Sequence, residues 1–355
     1  MCIRDRFGHT AIRYENSSQG IDVVFNYGLF SFNTPNFIFR FSLGETDYQL
    51  GATDYERFAA EYAFFGRSVW QQTLNLTDEE KTELIRLLQE NYRPENRVYR
   101  YNFFYDNCAT RPRDKIEESI AGKVIYPAEP QDGSLTFRDI VHQYCKGHPW
   151  ARFGIDLCIG SEADQPITQR QMMFAPFYLM DAFDGAQIKG DSIQRPLITA
   201  NELIVDATPE PDESDWMPTP LQCSLLLFIL TAAATIYGIR RRTGLWGIDL
   251  FLFGIAGIVG CVLAFLALFS QHPAVSSNFL LLVFHPGQLL FLPYIIYCVR
   301  KGKKCWYLTL NLAVLTLFIV LFPVIPQRFD FAVVPLALVL LIRSASNLIV
   351  TSKKK

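Results

Sequence analysis

The chain has 355 residues, a formal net charge of −2 from 33 Lys and Arg against 35 Asp and Glu, and a mean hydropathy of +0.13. The near balance of charge argues against nucleic-acid binding, and the mean hydropathy is too high for an ordinary soluble enzyme of this length. The apolar residues are concentrated in one part, so residues 1–216 predict a mixed globular region and residues 220–350 a membrane domain.

The first six residues, MCIRDR, are expected to be translated sequencing adapter, which would make this reading frame truncated at its start. They contain neither the apolar segment nor the small-residue cleavage site of a signal peptide. The next residues, FGHTAIRYE, already have the composition of a folded interior. We therefore begin the globular domain at Phe7 and expect it to end at residue 206.

The first half of this domain predicts an alternation of strands and helices. Residues 9–15 and 20–30 are rich in β-branched and aromatic residues, which predicts two strands joined by the turn NSSQG. Residues 54–66 predict an amphipathic helix, and residues 69–76 predict a weaker strand. The clearest helix lies at residues 77–92, where a capping box precedes a stripe of leucines. The capping residues are Thr77 and Glu80, and the leucines are Leu84, Leu87 and Leu88.

The second half continues with an aromatic segment, RVYRYNFFYDNC, which predicts a strand that runs into Cys108 and a helix that continues to about Ile120. Residues 136–145 predict a further helix. Strands followed by helices, another strand and another helix are typical of an α+β domain. Residues 207–219 are rich in proline and acidic residues, which predicts a linker.

Five apolar spans follow the linker and predict an all-α membrane domain at residues 220–351. Each has close to the roughly 20 residues that a helix needs to cross the hydrocarbon of a bilayer. Pro286 and Gly287 predict a break in the third span, and His285 beside them is expected to face a partner, water or the bundle interior. The spans lie at about 221–239, 245–269, 278–299, 305–325 and 330–350.

Basic residues are concentrated in alternate loops: after the first span at 240–242, after the third at 300–304, and at the chain end at 353–355. The positive-inside rule makes these loops cytoplasmic, which places the C-terminus in the cytoplasm and the N-terminal domain outside it. A buried all-helical soluble domain would not explain this alternation. Arg343 lies near the cytoplasmic end of the last span, where it is expected to snorkel toward water.

The eight cysteines do not have the spacing of a metal site, because no CxxC pair and no Cys/His cluster with zinc-ligand spacing is present, and we expect no metal and no cofactor. Four of them lie in or beside apolar spans, where cysteine usually serves as a small hydrophobic residue. These four are Cys223, Cys261, Cys298 and Cys305. Cys145 and Cys158 could pair in an oxidising compartment or remain ordinary buried thiols.

Cys108 stands before a predicted helix, where the helix dipole and the exposed N–H groups stabilise a thiolate. Pro112 would remove a hydrogen bond from a helix that began at Asn107, so a start near Thr110 with Pro112 in the first turn is favoured. A single cysteine among aromatic residues is also typical of core packing. Composition alone therefore leaves both a nucleophile and a buried thiol open.

A thiolate nucleophile requires a base within hydrogen-bonding reach, and histidine is the usual choice. His9 is the preferred candidate because it lies on a predicted strand, whereas His142 lies on a predicted helix and His148 in a predicted turn. Asn26 on the next strand is the candidate that orients the imidazole, with Asp22 behind it.

The surroundings of Cys108 suggest two further roles. The backbone N–H groups of Cys108 and Ala109 are the candidate oxyanion hole. Phe103, Phe104 and Tyr105 could line a path for an acyl chain, although packing in the core is the favoured interpretation of these three aromatic residues.

Several of these segments resemble the Lnb N-terminal periplasmic domain family of Bacteroidota. The similar segments are FGHTAIRY, VFNYGLF, PNFIFRFSLG, YNFFYDNCATRPRD and WARFGIDLCIGSEAD, and they cover most of residues 7–205. The resemblance implies a bacterial inner-membrane protein whose periplasmic domain has an α+β, circularly permuted papain-like fold. NlpC/P60 and lecithin–retinol acyltransferase proteins share that arrangement, in which a strand-borne histidine precedes a cysteine at a helix start.

The resemblance also implies the activity of a thiol acyltransferase. By its position in the GHT motif, His9 is the implied catalytic base. By its position in the NCAT motif, Cys108 is the implied nucleophile, and Asn26 is the implied third residue. The implied reaction moves an acyl chain from a phospholipid donor to the N-terminal amine of a diacylglyceryl lipoprotein at the lipid bilayer. The alternatives are a papain-like amidase or peptidase of the cell envelope and a non-catalytic envelope binding protein.

Overall fold

The computed structural model describes residues 7–30, 35–127, 135–190, 194–207 and 217–352. The adapter expected at residues 1–6 and most of the predicted linker, residues 208–216, lie outside the described residues. The chain forms two compact units. The N-terminal unit comprises Met1–Tyr144, Pro166–Glu213 and Gln271–Pro273, and the helical unit comprises Cys145–Gln165, Ser214–Ser270 and Ala274–Lys355.

The strands among the described residues form three antiparallel sheets, all in the N-terminal unit. They are β1 (Ala11–Asn16), β2 (Ile21–Leu29), β3 (Asp47–Asp54), β4 (Val69–Leu74), β5 (Val98–Arg100), β6 (Lys123–Ile125), β7 (Gln187–Lys189), β8 (Gln194–Pro196) and β9 (Ile198–Val205). The main sheet has the order β1-β2-β3-β5, while β4 pairs with β9 and β6-β7-β8 form a third sheet. The strands predicted at 9–15 and 20–30 are confirmed as β1 and β2.

Short helices alternate with these strands along the chain. In chain order they are α1 (Phe37–Leu43), α2 (Tyr55–Phe64), α3 (Asp78–Tyr92), α4 (Thr110–Ser119), α5 (Phe137–Tyr144), α6 (Pro149–Cys158), α7 (Gln169–Met172) and α8 (Pro176–Asp184). The helices predicted at 54–66, 77–92 and 136–145 are confirmed as α2, α3 and α5. The core between sheet and helices includes Tyr27, Leu50, Leu88, Met173 and Leu197, each at most 1% exposed.

The predicted capping box of α3 is confirmed. The Thr77 side chain accepts a hydrogen bond from the Glu80 N–H, and the Glu80 carboxylate accepts one from the Thr77 N–H at 2.8 Å. Burial alone would raise the pKa of Glu80, but hydrogen bonds from Thr77 and Arg195 outweigh it and hold the pKa below its usual range. Glu80 therefore joins the start of α3 to β8, which carries Arg195.

Among the residues that the structure describes, the α-helices of the helical unit are α6 and six from the second half of the chain. These are α9 (Pro220–Arg241), α10 (Trp246–Phe269), α11 (Gly287–Leu290), α12 (Leu292–Lys301), α13 (Trp306–Leu321) and α14 (Val333–Ser352). Within the part of the chain that the structure describes, three of them (α9, α10 and α14) are long and apolar enough to cross a membrane. They correspond to the spans predicted at 221–239, 245–269 and 330–350.

The third and fourth predicted spans take a different form. The third is not one continuous helix: Phe279–Leu290 and Leu292–Lys301 meet at a bend of 73°. Proline removes a helical hydrogen bond, and the bend falls beside Pro293 in the first turn of α12, while Pro286 precedes the short helix α11. The fourth span is shorter than predicted, because α13 has 16 residues and ends at Leu321.

Arg343 does not snorkel to water, so that prediction is wrong. Its side chain is 3% exposed and donates two hydrogen bonds to the Asp249 carboxylate, at 2.7 and 3.0 Å, and one to Thr235 Oγ1 at 3.0 Å. An unpaired guanidinium in a low-dielectric interior would be unfavourable, so the carboxylate determines where it lies. The three residues join α9, α10 and α14.

The helical unit also holds His285 and the segment that follows α6. His285 faces the bundle interior, as expected, with Nε2 3.4 Å from Asn311 Oδ1. Gly160 N–H donates to the Ala274 carbonyl at 2.6 Å, and a Cβ on Gly160 would lie 2.5 Å from the Ser277 carbonyl oxygen. Only glycine allows this close approach of two backbones.

The two cysteines of this region, Cys145 and Cys158, are both thiols in the structure. Cys145 is buried and Cys158 is half-buried. Burial raises the pKa of Cys158, which favours its neutral form. The sequence left open a disulfide between these two residues or two separate thiols, and the structure contains two separate thiols.

Candidate active site

His9 and Asn26 form the first part of the site. The imidazole Nε2 lies 2.7 Å from Asn26 Oδ1. His9 stands two residues before β1, and the register of the main sheet pairs Ala11 of β1 with Asn26 of β2. The pairing of the two strands therefore brings these side chains together across 17 positions of sequence, and their roles as base and orienting residue stay a prediction.

A second hydrogen bond determines which nitrogen of His9 is basic. Asn26 Oδ1 also accepts from the Gly28 backbone N–H at 2.8 Å, which identifies the oxygen end of this amide. An amide oxygen can only accept hydrogen bonds, so Nε2 of a neutral His9 must carry the proton. The other nitrogen, Nδ1, is then the one that can accept a proton from a nucleophile.

An irregularity in β2 shapes this part of the sheet. The pairing of β2 with β3 shifts its register between Asn26 and Leu29, as a β-bulge does. Bulges commonly lie near active sites, where they re-aim a side chain. The opposite residue is Gly51, and a Cβ there would lie 2.0 Å from Leu29 Cδ1, so a side chain at this position would require Leu29 to move.

Asp22 does not support His9, so that prediction is wrong. The register places Asp22 opposite Glu15, four residues along β2 from Asn26, which corresponds to roughly 13 Å along the strand. Its carboxylate instead accepts two hydrogen bonds from Arg13, at 2.8 and 2.7 Å.

Cys108 lies in a capped turn that leads into α4. Asn107 Oδ1 accepts hydrogen bonds from the Ala109 and Thr110 N–H groups at 2.8 and 3.0 Å, and the Asn107 carbonyl accepts from Arg111 N–H at 3.2 Å. These are the bonds of a helix N-cap, with Cys108 as the next residue. The regular helix begins at Thr110, since Pro112 has no N–H to donate to the Cys108 carbonyl.

The same cap revises the predicted oxyanion hole. The Ala109 N–H points to Asn107 Oδ1 and is occupied there, so the prediction that it stabilises an oxyanion is wrong. Asn107 itself is only 3% exposed, and its Nδ2 donates to the carbonyls of Phe103 and Phe174 at 2.8 and 2.9 Å. One buried amide thus holds the turn on both sides of Cys108.

Charged and aromatic groups surround the half-buried Cys108. The Arg111 guanidinium donates to both oxygens of Asp106, at 2.6 and 2.8 Å, and stacks over the Tyr99 ring with its centre 3.7 Å from the centroid. Burial first, and then the charge of Cys108, raises the pKa of Tyr99 well above its usual value. The Tyr99 hydroxyl donates a hydrogen bond to the Tyr27 carbonyl, and Cys108 packs against the core that contains both tyrosines.

Packing in the core connects the His9–Asn26 pair with the turn that carries Cys108. Tyr27 is the neighbour of Asn26 on β2, so the turn that carries Cys108 lies against the strand that carries the partner of His9. A second contact links the two segments, because the Phe7 ring lies edge-on to the Phe103 ring at 5.4 Å. His9 and Cys108 thus belong to two segments that pack on the same part of the N-terminal unit.

The aromatic residues before Cys108 divide between core and surface. Phe104 is 4% exposed and stacks on Phe137 at 4.2 Å, so it belongs to the core, as favoured from the sequence. Tyr105 is 52% exposed. Of the other two candidate histidines, His142 is on α5 and His148 precedes α6 in the helical unit.

Sequence reasoning missed Asn107 as the residue that holds the turn. Its signal was present, because asparagine is a preferred N-cap residue and Thr110 follows three positions later. Arg111 and Tyr99 were also missed. A guanidinium stacked on a tyrosine 12 positions away leaves no local pattern in the chain.

We expect Asn107→Ala to lower the free energy of unfolding by roughly 1–3 kcal/mol, since two helix N–H groups and two carbonyls lose a buried partner. Asn107→Asp, which retains the accepting oxygens, should recover part of the loss. Thermal unfolding of the full-length protein in detergent measures the effect. Asn16→Ala, which removes an exposed turn cap, is the control. An Asn107→Ala protein as stable as the Asn16→Ala protein would contradict this role.

Comparisons with known proteins give two matches, both to family models. Residues 2–142 match the Lnb N-terminal periplasmic domain, and residues 212–355 match the Lnb transmembrane domain. No curated protein and no solved structure matches the chain. The two models follow each other in the chain, and the N-terminal match contains His9, Asn26 and Cys108. The chain is thus a membrane protein with a periplasmic N-terminal domain, and it belongs to the Lnb family.

Proposed function

We propose that this protein is a membrane-anchored thiol acyltransferase, which moves an acyl chain from a phospholipid to the N-terminal amine of a diacylglyceryl lipoprotein. The observation that carries the proposal is the His9–Asn26 pair, which leaves Nδ1 as the basic nitrogen, in a unit that also holds a cysteine at a capped helix start. A nucleophile, a base and a residue that orients the base are the minimum set for covalent acyl transfer.

In the first half-reaction, His9 Nδ1 accepts the proton of Cys108 Sγ. The sulfur attacks the carbonyl carbon of a phospholipid ester, the bond from that carbon to the glycerol oxygen breaks, and the leaving oxygen takes the proton from the imidazolium. The products are a lysophospholipid and an acyl thioester on Cys108. The positive end of the α4 dipole stabilises negative charge on sulfur.

In the second half-reaction, the free amine of the lipoprotein attacks the thioester carbonyl. The carbon–sulfur bond breaks, an amide forms, and the amine proton returns through His9 to the Cys108 sulfur. Two moderate barriers replace one high barrier for direct exchange of an ester for an amide. Asn26 holds the imidazole in the tautomer that both steps need, as in other Cys-His-Asn sites.

The transmembrane domain anchors the proposed active site at the membrane that contains both substrates. Both substrates are anchored in a bilayer, so an enzyme anchored in the same membrane meets them by lateral diffusion. Water competes with the amine for the thioester, and a site that faces lipid reduces that loss. We propose the inner membrane and a cytoplasmic C-terminus, because the loops after α9 and α12 are rich in basic residues and the positive-inside rule makes such loops cytoplasmic.

The fold that supports this chemistry is proposed to be a circularly permuted papain-like one. The order along the chain supports it, since the histidine precedes the first strand of the main sheet and the cysteine begins a later helix. Five membrane crossings also belong to the proposal. They require the bent pair α11–α12 and the shorter α13 each to serve as a span in addition to α9, α10 and α14.

The test is the acyl-enzyme itself. The full-length protein, reconstituted in vesicles with phospholipid that carries a labelled acyl chain, should acquire a hydroxylamine-labile label on the peptide that contains Cys108. A diacylglyceryl-cysteine peptide with a free amine should then remove the label and become an amide. Cys158→Ser, which changes another half-buried thiol, should leave labelling unchanged.

Two results would overturn the proposal. Label that never reaches Cys108, with cleavage of envelope peptides instead, would indicate the amidase or peptidase alternative. Absence of both activities, together with normal lipoprotein N-termini in cells that carry Cys108→Ser, would indicate a non-catalytic binding protein.

A further inference from the structure

The short helix α1 has a composition that does not suit a water-exposed surface. Five of its seven residues, FIFRFSL, are apolar, and none of the seven is buried. Ile38 is 81% exposed and Phe39 is 56% exposed. Large apolar side chains grouped on a surface generally mark a place where a protein meets another apolar phase.

The backbone holds this helix in a fixed position. Asn36 before it and Gly44 after it both adopt left-handed conformations, with φ of 56° and 74°. The Phe37 ring stacks on Phe30 at 5.7 Å, which directs one side of the helix toward the main sheet. Ile38, the next residue, then projects from a different side of the helix.

The helix α1 also contacts residues 271–273 of the same unit. The Gln271 N–H donates to the Leu43 carbonyl at 2.8 Å, and His272 Nε2 lies 2.6 Å from the Phe41 carbonyl oxygen. A Cβ on Gly44 would lie 2.9 Å from the His272 backbone nitrogen, so the two chain segments touch along their backbones.

Chain connectivity places these residues next to the membrane. The apolar helix α10, whose mean hydropathy is 2.6, ends at Phe269, and Gln271 follows two residues later. Two residues of extended chain reach at most about 7 Å. That reach is similar to the thickness of the headgroup layer on one side of a bilayer.

We infer that α1 lies in the headgroup layer of the periplasmic membrane surface and inserts Ile38 and Phe39 among phospholipid acyl chains. Aromatic and aliphatic side chains on a short helix at the interface are suited to this role. The occupant of this surface is the phospholipid bilayer in which α10 stands. This inference does not depend on the thiol chemistry, since it concerns a surface remote in sequence from His9 and Cys108.

The charge of α1 indicates which kind of lipid contact to expect. Its one cation, Arg40, donates to the Glu45 carbonyl and to the Asp47 carboxylate, both at 3.1 Å. Attraction to anionic lipid is therefore weak, and burial of apolar surface is the main driving term. The contact should form on zwitterionic phosphatidylcholine and persist in 1 M salt, where exposed charges are screened.

Photo-crosslinking tests this arrangement in the full-length protein. Benzoylphenylalanine at position 38, in nanodiscs of phosphatidylcholine, should give covalent phospholipid adducts that mass spectrometry detects, and 1 M NaCl should leave the yield within about twofold. The matched control is position 86 on α3, an exposed residue that lies between Glu83 and Glu90. It should give at least tenfold less lipid adduct.

Two outcomes would overturn the inference. One is a lipid adduct yield at position 38 no higher than at position 86. The other is a predominant adduct between two copies of the chain, which would make this surface a protein interface. A second experiment places benzoylphenylalanine at position 39 and compares the lipid adduct with and without Ile38→Ser, which should reduce it. Ile38→Ser should leave the melting temperature in detergent unchanged. A lower adduct yield would then reflect weaker lipid contact and not unfolding.

Discussion

Replacing Cys108 with serine is expected to lower the rate of acyl transfer by about 10³-fold or more. A serine hydroxyl is almost fully protonated at neutral pH and is a weaker nucleophile than a thiolate at a capped helix start. Removal of the nucleophile from a catalytic unit generally costs several orders of magnitude in rate. The measurement is the initial rate of N-acylation of a diacylglyceryl-cysteine peptide in vesicles, with Cys158→Ser as the matched thiol control.

The same assay can establish whether His9 and Cys108 act together. Residues that serve one step are strongly non-additive, so the double variant His9→Ala/Cys108→Ser should be no slower than Cys108→Ser alone. If the losses from the two single changes instead multiplied in the double variant, the two side chains would act independently. That outcome would contradict the proposed proton transfer from Sγ to Nδ1.

The second large effect is expected in the membrane domain, at the ion pair between Asp249 and Arg343. Asp249→Leu should lower the free energy of unfolding by about 3–5 kcal/mol, because it leaves a guanidinium buried among helices without its carboxylate. Arg343→Met should have an effect of similar size for the complementary reason. The double variant Asp249→Leu/Arg343→Met should recover most of the stability, since it removes both charges and retains similar volume.

Unfolding by heat or denaturant in detergent, followed by circular dichroism, measures these differences. Arg86→Met is the control, because the Arg86 pairs with Glu83 and Glu90 are exposed and contribute little. If Asp249→Leu were as mild as Arg86→Met, water would reach the buried guanidinium. A double variant as unstable as the single variants would show that packing around Thr235, rather than charge, holds the three helices.

Much of the local structure was determined by the sequence itself. The capping box of α3 and the apolar runs of α9, α10 and α14 depend on residues within a few positions of one another, so pattern alone located them. The same holds for the break near Pro286, because a missing N–H disrupts a helix wherever it occurs. The motifs around His9 and Cys108 could also be recognised from the sequence, because each consists of a few consecutive residues.

Only the tertiary structure decided how these local pieces meet. Asn26 and Asp22 lie on the same face of β2 by alternation, and the register with β1, not the pattern, brought Asn26 to His9. Asp249 and Arg343 are 94 positions apart, so nothing local could predict that the arginine turns inward. In each case the deciding term is a contact between distant segments, whose free energy depends on burial and partner geometry that no local stretch of sequence contains.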